Sequence, residues 1–552
     1  MRLFQVSLFC SSIFLLMGCS KNPPQPDPTS GETQNTPSNS NEVLVERGDP
    51  TTEKKSEVEK QNGPLSLRED SLNLGSRREL FVDHYLIDTL DGVRLELHRP
   101  QPAEVVLRAD RPWEGAFNYG HAVIQDGPMY RIYYRGFGLV DGPNGKTFGQ
   151  SFMCGAESRD GIHWAKPDWG LTEVMGTRQN NVIVSAEGDN VGAYAFIDKR
   201  PGTPADHRYK TIEGQPGARR AYVSPDGIHW RRLQDKPVID KTHYPYASDG
   251  EGANAFWSES EGCYVGYYRV WVGPDRQLTK SGGDSYRWIG RCTSPDFVNW
   301  TKVEPVDFGE LPLEHYYNQR MQPYLRAPHI YVGLPARFML GRRVLTDEQS
   351  AAIGVATAVF KRGKSYKNDY TADCSDGLLV TSRGGNRMDR TFPEAFIRPG
   401  LGPEHWVSRT NYPLRGVVQT GPAELSIYVN RCYAQDTWHI QRFTLRLDGF
   451  ISLHAPYQAG EMVTKPVVFK GNKLEINFST SAAGHIRIGF QTADGSPLEG
   501  YSVDACDELI GDELDRIVTW NGSSDVSSLV GKPIRMRFVM KEADVYALQF
   551  RE

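Results

Sequence analysis

Apolar and polar positions alternate along most of this chain in short runs broken by glycine, proline, asparagine and aspartate, and a helical period is scarce. Alternation sends successive side chains to opposite faces of a strand, so the pattern predicts an all-β protein. The one stretch with helical character is short, around Leu345 to Ala352. Small-residue apolar runs recur with glycine leading each: GHAVIQD from Gly120, GAYAFID from Gly192 and GANAFWSE from Gly252. Tyrosine-rich runs recur beside them: YRIYYRG from Tyr130, YVGYYRV from Tyr264 and YVGLPARF from Tyr331. MQPYLRA from Met321 and TNYPLRGVVQT from Thr410 hold the fourth and fifth places in the apolar series. Five units of roughly four strands, with small residues where space near an axis is least, predict a five-bladed β-propeller over residues 76–457. From 458 to 552 the alternation continues in KLEINFST, HIRIGFQT, IRMRFVM and VYALQF, which predicts a C-terminal β-sandwich. That sandwich is read either as a cap on the propeller or as a carbohydrate-binding module.

A turn motif returns between the units: SRDGIHW at 158–164, SPDGIHW at 224–230 and SPDFVNW at 294–300, with a degraded copy from Ser382. An aspartate in such a turn accepts backbone N–H bonds and the tryptophan closes over it, so both residues are read as structural.

The ends and the composition narrow the function classes. One cation at Arg2 precedes an apolar run from Leu3 to Met17, too short to span a bilayer, and the run ends in Leu-Met-Gly-Cys. This resembles the bacterial lipobox, which implies a signal over residues 1–19, lipidation of Cys19 and anchoring in the cell envelope, with Ser20 and Lys21 suggesting the outer membrane. Residues 20–75 are rich in Pro, Ser, Thr, Asn and Glu and read as a disordered tether. The net charge of −5 and the lack of a basic tract argue against nucleic acid as a partner. The cysteines beyond Cys19 are scattered without CxxC or Cys/His spacing, so neither a zinc site nor a disulfide scaffold is indicated. No cofactor is called for, a structural calcium or other ion near the propeller axis being the one allowance.

SPDFVNW is similar to the Ser-x-Asp-Leu-Val-x-Trp turn of the five-bladed-propeller glycoside hydrolases, the invertase-like and arabinanase/xylosidase-like families 32 and 43, and the other copies also resemble the sialidase Asp-box. The resemblance covers about Leu80 to Ala455 and implies acidic residues before the innermost strands, one from each early blade, facing a central funnel. On the glycine register those positions supply Glu114, Asp189, and Asp249 with Glu251; the fourth blade adds Glu314. The resemblance implies Glu251 or Glu314 as acid and Glu114 or Asp249 as base, since glycosidic cleavage uses a protonated and an ionised carboxyl across the bond. Asn118, Tyr119 and His121, then His315, Tyr317 and Asn318, then Trp406, Arg409 and Asn411 are the implied sugar contacts. The invertase-like Asn-Asp-Pro and Arg-Asp-Pro motifs are absent, and Asn118 and His121 stand where a general-base Asp is expected. Arg135, Arg269 and Arg337 recur at the ends of the Tyr-rich strands, read either as ion pairs between blades or as receptors for a carboxylated or sulfated sugar. Three functions follow in order: a surface-anchored glycoside hydrolase with a carbohydrate substrate, a non-catalytic carbohydrate-binding propeller, and a structural surface protein.

Overall fold

The computed structural model describes residues 71–142, 145–215, 217–246, 253–355, 359–360, 366–367 and 370–552. The signal with Cys19, the tether as far as residue 70, and Asp249 and Glu251 lie outside the described residues; Leu72–Gly75, expected in the tether, is a strand because it pairs with Val467–Phe469. Within the described residues nearly all of the regular structure is strand. The helix is shorter than the expected segment, Asp347–Ala352, because Thr346 caps its start and Gln349 returns a bond to the Thr346 backbone.

Five antiparallel arrays follow one another. The first runs from the inner strand β1 (Tyr119–Asp126) to Met129–Gly142 and Gly145–Ser158. The second starts at β2 (Phe196–Ile197) and continues through Tyr209–Gln215 and Ala218–Ser224. The third starts at β3 (Asn254–Ser258) and continues through Cys263–Val272, Tyr286–Ser294 and Glu304–Pro305. In the fourth, β4 (Gln322–Tyr324) pairs with Ala327–Gly333, and that strand with Val380–Ser382; a companion sheet of His315–Tyr317, Ala336–Met339 and Cys374–Gly377 lies along the same chain segments. The fifth runs from β5 (Tyr412–Gly421) through Glu424–Arg431 and His439–Arg446 to Gln101–Arg108, which arrives from the other end of the chain. The inner strands touch in cyclic order, β1 to β2, β2 to β3, β3 to β4, β4 to β5, and β5 back to β1. The last contact is a parallel bridge between Arg415 and Ala122.

Small residues permit this approach. A Cβ at Gly120 would sit 2.7 Å from Leu414 Cδ1, and one at Gly416 would overlap the Val123 carbonyl oxygen, so both glycines hold β1 against β5. Arg415 fastens the centre. Its guanidinium donates to the carbonyls of Ala195 at 2.7 Å, Ala255 at 3.3 Å and Met321 at 3.3 Å, residues at or beside β2, β3 and β4. Burial, with Arg320 nearby, pulls its pKa down to about 9, and it still carries its charge at neutral pH.

The three turn motifs have one geometry at the ends of the third strands. Asp160, Asp226 and Asp296 each accept two backbone N–H bonds, at 2.8, 2.9 and 2.7–2.9 Å, and the Trp164, Trp230 and Trp300 indoles donate back at 2.9–3.1 Å. The residue after each Asp is left-handed; Phe297, at φ +71°, adopts this where the other copies use glycine. Tyr428 of the fifth array bonds the Gly161 carbonyl, and Tyr133 of the first bonds that of Gly227, so these turns dock each array on its predecessor.

Six strands from Ile451 onward belong to one curled ten-stranded sheet. Its spine pairs Lys473–Thr492 with Ile534–Arg551, whose alternating buried positions include Ile488, Phe490, Met536 and Phe538. Four strands between Leu72 and Leu97 join this sheet: Leu72–Gly75, Arg78–Leu80, Ile87–Asp91 and Arg94–Leu97. The expected division at 457/458 therefore does not separate the sheets, because residues assigned to the propeller pair with the C-terminal strands. The shared core reaches Leu425, Ile427 and Phe443 of the fifth array.

Candidate functional site

Side chains from all five arrays meet around the Tyr119 ring. Tyr119 and His121 leave β1 on one face, with ring centroids 5.2 Å apart, and Tyr194, before β2, packs on His121 at 5.7 Å. Tyr412 at the head of β5 packs on Tyr119 at 5.9 Å and on Tyr317 at 5.1 Å. The Arg269 guanidinium of the third array lies 3.9 Å over Tyr317, and that of Arg320 lies 5.7 Å over Tyr119. Asn318 donates to the Tyr119 hydroxyl. Arg287 and Arg409 flank Tyr317 at 5.7 and 6.0 Å. A second aromatic layer of Phe117, Phe137, Phe148, Tyr370 and Tyr433 continues the cluster, with Arg135 4.9 Å over Phe137.

The chain is strained where it enters this place. Asn318 and Arg320 before β4, and Arg409 and Asn411 before β5, all have left-handed backbone, φ +51° to +68°. Two such pairs, each with one intervening residue, are the kind of local cost that persists at functional sites.

The imidazoles are neutral. Burial, then the charges of Arg320 and Arg135, hold His121 well below its ordinary value. Burial, Arg287 and Arg269 hold His315 down to about 4, and its Nδ1 accepts from the Arg287 backbone N–H at 3.1 Å. Among the described residues, His121 Nδ1, Asn118 Nδ2 and Arg135 Nε are buried and have no hydrogen-bond partner, while Asn118 Oδ1 accepts from the N–H groups of Gly115 and Phe137. Behind Tyr194, Glu213 Oε1 accepts from the Tyr194 N–H at 3.2 Å and the Thr211 hydroxyl at 2.8 Å. Burial pushes this carboxyl up to about 7, against those bonds and Arg219.

Of the expected residues, Tyr119, His121, Tyr317, Asn318, Arg269 and Arg409 share the cluster, with Asn118, Arg135 and His315 at its border. Others have internal partners. Glu114 accepts from Lys166 Nζ at 2.9 Å, from the Tyr134 hydroxyl at 2.5 Å and from the Asp110 and Arg111 N–H groups. Asp189 accepts from Arg232 and the Tyr222 hydroxyl toward the outer edge of the second array rather than before its inner strand. Glu314 pairs with Arg337 and Arg390, and Arg337 also with Asp376 at 2.6 Å, so Arg337 takes the ion-pair reading. Asn411 bonds the Ser375 and His405 carbonyls, and the Trp406 indole bonds that of Gly400. Arg287, Arg320, Tyr194, Tyr412 and Glu213 belong to the site and escaped the sequence reading. Arg320, Tyr194 and Tyr412 carried a usable signal, since each sits in the apolar series or just before it. Among the described residues, no group of three or more His, Cys, Asp or Glu is placed to hold a metal ion.

No protein family matches the chain, and no curated protein does. Among solved structures, a complex of BT0996 with RGII overlaps 63% of this chain and 93% of its own, at 14% identity and a TM-score of 0.40. A fructofuranosidase of Schwanniomyces occidentalis with fructosylnystose overlaps 82% and 97%, at 11% identity and 0.32. The Bombyx mori GH32 β-fructofuranosidase overlaps 83% and 94%, at 10% identity and 0.34. All three TM-scores are below 0.5, and the fold and site described above stand on this chain's own residues.

Proposed function

We propose that this chain is a carbohydrate-active protein, a glycoside hydrolase whose site lies at the centre of a five-bladed β-propeller running from about Gln101 to Arg446. The observation that carries the reading is the convergence on Tyr119, His121 and Tyr317 of aromatic, amide, imidazole and guanidinium groups from five successive arrays. A sugar offers apolar ring faces and many hydroxyls, and such a mixture of aromatic surface with a few fixed polar groups is what binds it. The cyclic contact of the inner strands supports the propeller reading, with the C-terminal sheet as its cap. Cleavage then requires two carboxyls. Glu114 and Glu314 are held in internal pairs and Asp189 lies toward the edge, so the pair is assigned to Asp249 and Glu251, just before Ala253 and β3, with Glu251 as the acid. A lipid on Cys19 holds the protein in the cell envelope.

The same engagement of Glu114, Asp189 and Glu314 favours a second reading, a carbohydrate-binding protein without turnover. Incubating the soluble body, residues 71–552, with a panel of polysaccharides and measuring released reducing ends separates the two: hydrolysis predicts product, and the binding reading predicts retention without product.

A further inference from the structure

Ion pairs hold many of this chain's partly or fully buried arginines. Arg78 meets Glu475, Arg383 meets Glu79 and Asp83, Arg131 meets Glu157, Arg291 meets Glu261, and Arg442 meets Glu104 and Glu424. Arg415 has three backbone carbonyls in place of a carboxylate; Arg135 and Arg409, both partly buried, have less. Among the described residues neither has an ion-pair partner: Arg135 rests on the face of Phe137, and Arg409 lies 5.5–6.0 Å from the rings of Tyr317, Tyr370 and Tyr433 with one bond to the Tyr433 hydroxyl at 3.3 Å. A guanidinium withdrawn from water without a counter-charge is costly, and so is a buried donor without an acceptor. Arg135 Nε, Asn118 Nδ2 and His121 Nδ1 are buried and unmatched among the described residues, and the ring contacts Phe137–Phe148–Phe117–Tyr433 lead from Arg135 to Arg409. Arg409 is also held in a left-handed conformation that a side chain ordinarily avoids.

Resting on the carbohydrate reading above, we infer that the site takes an anionic sugar, its ring carboxylate or sulfate ester received by Arg409 and Arg135 across the aromatic cluster. The guanidinium fork matches two oxygens of either group, and the faces of Phe137, Tyr317 and Tyr433 fix the fork, with Arg409 Nη1 giving one bond to Tyr433 and the remaining N–H groups turned to the ligand. Asn118 Nδ2 is left to donate to a hydroxyl on the same sugar. His121, kept neutral by burial and by the charges of Arg320 and Arg135, is a hydrogen-bonding partner there and not a further cation.

The test is calorimetric titration of the soluble body with matched pairs: oligogalacturonides against their methyl esters, and sulfated galactan oligosaccharides against their desulfated forms. The uronate and sulfate arms identify the source of the charge. At least one charged ligand should bind about tenfold or more tightly than its neutral partner, with the difference shrinking as salt is raised. Arg409→Gln and Arg135→Gln should each reduce that preference to about threefold or less, and Arg409→Lys, which keeps charge but loses the fork, should fall between. Arg516→Gln, on the distant C-terminal sheet, serves as a control, and melting curves verify folding. Equal binding of charged and neutral forms, binding of neutral glycans alone, or a preference that survives both glutamine variants overturns the inference and leaves the carbohydrate reading intact. Absence of binding and cleavage for every glycan overturns both.

Discussion

Replacing Glu213 by glutamine should make the protein more stable at alkaline pH and leave it unchanged in acid. Glutamine keeps an acceptor for the Tyr194 N–H and the Thr211 hydroxyl, so the substitution removes little except the ability to ionise. The folded protein holds this carboxyl at about 7 against an ordinary 4.5, burial being the main cause. A group whose folded pKa is raised contributes stability that is complete below the unfolded value and lost as pH rises through the folded one. The wild type should therefore lose stability from about pH 4.5 to about pH 7.5, and at about 1.36 kcal/mol for each tenfold change in proton affinity the loss is about 3 kcal/mol. Other groups titrate in the same window, so the readout is the difference between the two proteins. Urea unfolding followed by tryptophan fluorescence at half-unit steps from pH 4 to pH 8.5 supplies it. The curves should coincide near pH 4 and separate by about 3 kcal/mol near pH 8, with Glu213→Gln the more stable. A difference that does not vary with pH, or a glutamine variant less stable at pH 8, would refute the claim that Glu213 is a buried carboxyl kept neutral by its surroundings.

Glu114→Gln should cost about 3 kcal/mol or more in urea unfolding, because it leaves the nearly buried Lys166 ammonium without its buried counter-charge, with only the exposed Asp110 remaining; glycan binding by the folded variant should match the wild type. Arg415→Met should destabilise by about 3 kcal/mol or more, since it strands the carbonyls of Ala195, Ala255 and Met321 at the meeting of the inner strands, and hydrogen exchange should show β2 to β4 opening first. In cells, Cys19→Ser should abolish incorporation of labelled fatty acid; continued labelling would remove the anchor from the account.

What the sequence made legible was local. The Asp turns could be recognised because seven consecutive residues close each of them, and all three form the same bonds. The glycine-led runs announced β1 and β3 because a small residue beside an apolar strand records a close approach. Pairing of Leu72–Leu97 with strands beyond Ile451 left no mark, since alternation shows that a strand has a buried face and not which strand lies beside it. The acids misled for a related reason. An acidic residue ahead of an inner strand looks the same whether it faces a substrate or, as at Glu114, a lysine fifty-two positions away. Arg320 and Arg287 acquire meaning only through rings brought to them by other arrays, and Glu213 sits in a run, YKTIEGQ, whose burial is set by Tyr194 and not by its own neighbours.

The central claim is that the place where the five arrays converge cleaves a glycan, with Glu251 as proton donor. Its most direct test is to measure reducing-end release by residues 71–552 and by the Glu251→Gln variant on a glycan that calorimetry shows both to bind. The account predicts product from the first and a rate lower by about 10²- to 10⁴-fold from the second, at nearly equal affinity. Equal rates from the two proteins, or no product from either on any glycan they bind, would contradict it.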